Sequence, residues 1–121
     1  PRLQEATEQD EWGGIMGAKN ARLTALAGFT TVREAGSAQH TAFVLRRGTA
    51  EGKIPGPRIV AAGPALAIVG GHGDTSGFRP EVNELLDPGF NCTGPVECAE
   101  KVRLASQNGS DIIKITATGG V

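Results

Sequence analysis

Lys114 stands inside the apolar run Ile112-Ile113-Lys114-Ile115-Thr116. An ammonium loses hydration when it is buried, so a lysine in an apolar strand needs a partner or a chemical purpose. Strand alternation places Ile113 and Ile115 on one face and Ile112, Lys114 and Thr116 on the other. Burial lowers a lysine's pKa and raises the share of neutral amine. A neutral amine adds carbon dioxide to give a carbamate, a two-oxygen anion able to bridge two divalent metals. The same spacing also suits a lysine whose stem packs while its head reaches solvent or a carboxylate.

His72 lies in Gly70-Gly71-His72-Gly73-Asp74. Flanking glycines let the backbone approach a ligand closely. A histidine there polarises a carbonyl or binds metal, or it is an ordinary surface-turn residue. Asp74 either orients the His72 ring or caps the turn. Arg33 and Glu34 close a strand-like run on the rim expected for Lys114. They either pair with each other in support of the site or contact substrate, and the supporting role is preferred. His40 reads as structural, and Gly119-Gly120 as a pocket wall or a turn. No dinucleotide fingerprint, P-loop or Gly-x-Ser-x-Gly elbow occurs, which argues against nucleotide binding and serine hydrolysis.

The elements that position these residues alternate. Thr7-x-x-Asp10 predicts a capping box ahead of a helix through Trp12, Ile15, Met16, Leu23 and Leu26, stopped by Gly28. A strand follows over Phe29–Glu34, then a helix from Thr41 to Glu51 ending at Gly52. Ile54-Pro55-Gly56-Pro57 is a rigid turn into a strand over Arg58–Ala62. Gly63 to Thr93 reads as one long connection, a length that is often functional. Gly94-Pro95 opens a third helix, which ends at Asn108-Gly109 and delivers the Lys114 strand. Short returns between such units predict a parallel α/β sheet. Three strands cannot close a barrel, and an open sandwich would leave apolar edges bare. Residues 1–121 are therefore expected to be one piece of a larger barrel domain, and self-association through open edges, as a homo-oligomer, is the alternative.

Composition narrows the partners. A net charge of -1 and the absence of tyrosine argue against a nucleic-acid surface. No apolar run approaches the roughly 18 residues of a membrane span. The chain opens on Pro1 rather than Met, so sequence upstream is expected. The Cys92–Cys98 spacing is too wide for a Cys-x-x-Cys pair. Cys98 is read as a small core residue, Cys92 as a loop residue, and a disulfide between them as disfavoured. Reduced thiols would favour a cytoplasmic setting.

Four motifs occur in order: Gly28-Phe29-Thr30-Thr31-Val32-Arg33, Gly52-Lys53-Ile54-Pro55-Gly56-Pro57-Arg58, Gly70-Gly71-His72-Gly73-Asp74, and Asp111-Ile112-Ile113-Lys114-Ile115 with Ala117-Thr118-Gly119-Gly120. From about Ala18 to Val121 the chain resembles the amidohydrolase superfamily, in its imidazolonepropionase-related branch with prolidases and Arg/Lys carboxypeptidases. The resemblance implies a partial (β/α)8 TIM barrel, strands 2 to 4 with their helices. It implies hydrolysis of amide or peptide C–N bonds in a dipeptide or N-acyl amino acid. It also implies two divalent metals, usually zinc, bridged by a carboxylated lysine that maps onto Lys114. His72 would lie near the substrate carbonyl or carboxylate, and Arg33 is a candidate substrate contact. The family's other metal ligands and its general-base aspartate fall outside this chain, so the chain alone is expected to be inactive. Glu34 stands where the family more often has Asp. The alternative is a non-catalytic module that binds an anion in the Gly70–Gly77 loop.

Overall fold

The computed structural model describes residues 7–38 and 40–119; Gly120 and Val121 lie outside the described residues. The elements run α1 (Asp10–Leu26), β1 (Thr31–Glu34), α2 (Thr41–Ala50), β2 (Arg58–Ala61), β3 (Leu66–Ile68), α3 (Pro80–Leu86), β4 (Asn91–Cys92), α4 (Gly94–Asn108) and β5 (Ile115–Thr116). β1 pairs with β2 in parallel, Thr31 opposite Arg58 and Glu34 opposite Ala61. A second parallel sheet has β3 at its centre, with β4 and β5 on either side. The fold is α/β with parallel strands, as the alternation of elements predicts.

Helix ends follow local chemistry. Gly28, at φ +97°, takes the left-handed conformation after α1. Its N–H donates to Ala25 O, and Phe29 N–H donates to Thr24 O, so the last carbonyls are satisfied. The capping box does not form. Gln9 is the N-cap and Asp10 the first helical residue, and Asp10 with Glu11 faces the positive end of the helix dipole.

Two expectations about the course of the chain change. Gly63 to Thr93 is not one open loop, because β3, α3 and β4 lie within it. β3 and β4 have three and two residues, too short for periodicity to reveal. The Lys114 strand is shorter than expected, only Ile115–Thr116. The residues before it are held by a different device. Asp111 N–H donates to Ala61 O at 2.8 Å, while the Asp111 carboxylate accepts from Ala61 N–H at 2.9 Å and from the Arg46 guanidinium. Further on, Leu66 N–H donates to Lys114 O at 2.9 Å. This segment thus ties the end of β2 to the start of β3 and joins the two sheets.

The cysteine expectation is also corrected. Cys92 is bonded to Cys98, with Cα atoms 5.1 Å apart. Cys92 ends β4 and Cys98 lies in the first turns of α4, so the helix start folds back over the strand. Sequence spacing alone could not show that turn. Closing so short a loop removes about 2 kcal/mol of denatured-state freedom. The argument from reduced thiols to a cytoplasmic setting falls with this pairing. No helix among the described residues is long and apolar enough to cross a membrane.

The core is thin. Its buried members are mostly alanines, with Leu66, Phe90 and Cys92, while Trp12, Ile15, Leu23, Leu26 and Ile115 are exposed. The accessible surface is 8191 Å², against roughly 6,200 Å² expected for a compact monomer of this mass. The excess, about 2,000 Å², is on the scale that a stable interface buries. Sedimentation velocity of the isolated chain is therefore expected to show concentration-dependent association. A strictly monomeric species across the micromolar range would contradict this reading of the surface.

The Asp111 carboxyl is held below its ordinary pKa, first by the Ala61 N–H and then by Arg46. The stabilisation it contributes is complete above the unfolded carboxyl pKa of about 4. It is lost as pH falls through the lower folded value. The Asp111 side chain is 42% exposed, so solvent screening keeps the contribution to about 1 kcal/mol. Urea unfolding should show Asp111→Asn less stable by about that amount at pH 7, with the difference shrinking below pH 4. Equal midpoints at pH 7 would remove Asp111 from the joint between the sheets.

Candidate functional site

The site is organised around β3 and β5. Parallel pairing sets Leu66 opposite Ile115 and Ala67 opposite Thr116, and Thr116 Oγ1 donates to Leu66 O at 3.3 Å. Beyond β3 the chain turns at Gly70, where φ is +75°. His72 N–H then donates to Thr118 O at 3.0 Å, so the loop after β3 lies across the segment leaving β5. A Cβ on Gly73 would stand 2.4 Å from Thr116 Oγ1 and 2.9 Å from Ala67 Cβ. The loop backbone rests directly on both strands, and only glycine fits there.

Burial alternates from Ile112 to Thr116. Ile113 and Ile115 are exposed, whereas Ile112, Lys114 and Thr116 are half-buried. Lys114 therefore shares the face of Thr116, onto which Gly73 closes. The loop that carries His72 thus closes through Gly73 on the face of β5 that Lys114 shares by alternation. Lys114 is only half-buried, however, and not enclosed as a strand lysine was expected to be. The His72 side chain is exposed and makes no hydrogen bond among the described residues.

Asp74 caps the turn and does not orient the His72 ring. Its carboxylate accepts from Gly70 N–H and from Asn91 Nδ2, both at 2.7 Å. Arg33 and Glu34 do not pair, because strand alternation turns them to opposite faces, Arg33 exposed and Glu34 half-buried. Glu34 instead accepts from the N–H groups of Gly36 and Gly63. It pins the turn after β1 to the bend between β2 and β3, in place of the ion pair with Arg33 expected from sequence. Glu34 is level with Ala61 in the first sheet, while Leu66 is level with Ile115, the residue after Lys114, in the second. His40 is the N-cap residue of α2, with its ring 6.1 Å from Phe43, a structural placement.

The Gly70–Gly77 loop is not an open anion cradle. The N–H groups of Gly70, Gly71, His72 and Asp74 already donate to Asp74 Oδ2, Ile68 O, Thr118 O and Gly71 O. The Asp74 carboxylate inside the turn would also repel an anion. A cavity of about 430 Å³ opens elsewhere, lined by Arg46, Thr49, Gly56, Arg58 and Asp111. It sits at the amino end of β2 and includes neither His72 nor Lys114.

No group of three or more His, Cys, Asp or Glu that could hold a metal ion occurs among the described residues. On their own, these residues do not make a metal centre. Sequence reasoning missed Asn91, whose side chain ties β4 to the His72 loop. Its signal was absent because β4 was not recognised as a strand.

No family profile matches the chain. Solved structures do. A Xaa-Pro dipeptidase with methionine bound in its active site matches 93% of this chain at 37% identity and a TM-score of 0.78, over 28% of that protein. A prolidase complexed with N-methylphosphonate-L-proline matches 96% at 32% identity and a TM-score of 0.76, over 29% of its length. Ochratoxinase of Aspergillus niger is 33% identical over an alignment of 110 residues, which takes in 78% of this chain and 22% of the enzyme. Its crystal structure matches 96% of the chain with a TM-score of 0.78 at 26% identity. The chain thus spans about a quarter of the length of these relatives, and within that span, in sequence and in backbone, it belongs to the amidohydrolase family, related to Xaa-Pro dipeptidases, prolidases and ochratoxinase.

Proposed function

We propose that this chain forms part of a metal-dependent hydrolase that cleaves amide or peptide C–N bonds in a small substrate, a dipeptide or an N-acylated amino acid. In this reading its strands are the second to fourth of a (β/α)8 barrel, and the bare surface is where the remaining units pack. One observation carries the proposal. The His72 N–H to Thr118 O bond, with the Gly73 contact on Thr116, sets the glycine-flanked loop of His72 against the segment that follows Lys114. The identity to a Xaa-Pro dipeptidase over 93% of the chain supports the substrate class, since that relative is a dipeptidase with an amino acid bound.

Lys114 is the residue of this chain that would hold metal, as a carbamate with two donor oxygens; its partial burial leaves the amine open to carbon dioxide. Two divalent ions, zinc in this proposal, would lower the pKa of a bound water and polarise the scissile carbonyl. The other ligands would come from outside this chain. The exposed His72 imidazole, on a loop seated against β3 and β5, would donate to the substrate carbonyl or to its carboxylate. A donor of that kind, once ordered by substrate, typically contributes about 100-fold or more to rate. Arg33, exposed on β1, would be the further substrate contact. The chain by itself would not turn over substrate.

In the full-length protein that carries this segment, Lys114→Ala is expected to lower bound metal from two ions to one or none. Dipeptide hydrolysis should fall at least 100-fold. Metal analysis with and without added bicarbonate measures this, and unchanged metal content with an unchanged rate would end the carbamate assignment. His72→Ala should keep the metal content and lower kcat/KM roughly 100-fold. Loss of metal in that variant would recast His72 as a ligand.

A further inference from the structure

We propose that Asn91 is a positioning residue for the His72 loop, acting through Asp74. The inference rests on the assignment of His72 to the substrate side and adds a determinant that lies outside the loop itself. Asn91 Nδ2 donates to Asp74 Oδ1 at 2.7 Å, and Asp74 Oδ2 accepts from Gly70 N–H at 2.7 Å. One carboxylate thus links a strand of the second sheet to the first residue of the loop, two residues before His72. Asn91 Nδ2 also lies 3.3 Å from Asp87 Oδ1, so it sits between two carboxylates as their shared donor. Both links involve an ionised acceptor, which makes them stronger than neutral hydrogen bonds.

Asn91 is itself well anchored. It belongs to β4, level with Ala67 of β3, and Ala67 N–H donates to Phe90 O next to it. Phe90 is part of the buried cluster with Leu66 and Ala105. On the other side, Cys92 is bonded to Cys98 in α4. The residues before and after Asn91 are therefore fixed by core packing and by a covalent bond. The loop, in contrast, has the backbone freedom of Gly70, Gly71 and Gly73, and outside its own turns its backbone is tied at His72 N–H to Thr118 O. The Gly73 contact sets how close the loop comes to the strands, and the Asp74–Asn91 bond sets its direction along the sheet.

Replacing Asn91 by Asp keeps size and removes the donor, leaving three carboxylates facing one another. Hydrogen-exchange mass spectrometry on the full chain reads the result, because exchange reports local opening even in an associated sample. In Asn91→Asp, amides in the 70–74 segment should exchange roughly tenfold faster or more. Those of Ala61 and Leu66 should keep their wild-type rates. The single change Asp74→Asn keeps the Gly70 acceptor, sets two amide donors against each other, and should give the same signature. The double variant Asp74→Asn with Asn91→Asp reverses donor and acceptor, restores the bond, and should recover most of the protection.

Unchanged exchange at 70–74 in both single variants would overturn the proposal. So would faster exchange throughout the chain, which marks a general loss of stability, or a double variant no better protected than the singles. None of these outcomes depends on turnover. Failure here is thus distinct from failure of the hydrolase reading, which metal content decides.

Discussion

Asp111 is the constraint on which the rest of the architecture depends. Two small parallel sheets, one of two strands and one of three, share no continuous hydrogen-bond ladder. Asp111 exchanges hydrogen bonds with Ala61 through its backbone N–H and its carboxylate, and takes a third from Arg46. Three residues later Lys114 accepts from Leu66. The segment between them must then run from the end of one sheet to the start of the other. That course fixes which face Lys114 shares with Thr116, and so which face the His72 loop covers. A charged acceptor suits this position because it serves two donors from different elements at once.

Much of this was legible in the sequence, for physical reasons. α1, α2 and α4 are long enough to show periodicity, and glycines mark their ends by backbone freedom. β1 and β2 are four-residue runs bounded by turn residues. The site was legible in part. Glycines around His72 signalled a close backbone approach to a ligand; the approach that Gly73 makes is to Thr116 and Ala67. Alternation grouped Lys114 with Ile112 and Thr116, as their burial does, even though most of the run is not a regular strand.

The rest was hidden because it depends on contacts distant in sequence. β3 and β4 exist only as pairing partners, and their own residues carry no periodic signal. Asp74 lies two residues from His72, and the sequence left a ring contact and a turn cap both open; the cap is the one formed, and the side-chain partner, Asn91, is distant in sequence. Arg33 and Glu34 look like a ready ion pair on paper. Period-two geometry sends them apart, and the backbone N–H groups at Gly36 and Gly63 claim the carboxylate. Cys92 and Cys98 meet because a helix start doubles back over a two-residue strand.

The covalent link in that last element bears on how the molecule is handled. β4 has only two residues of backbone pairing, so Cys92–Cys98 adds a covalent hold to the packing of Phe90 and the side-chain bonds of Asn91. Material produced in an oxidising compartment and material stored under thiol reductant are chemically different samples at this strand. Specimens intended for comparison need their redox history matched before any other variable.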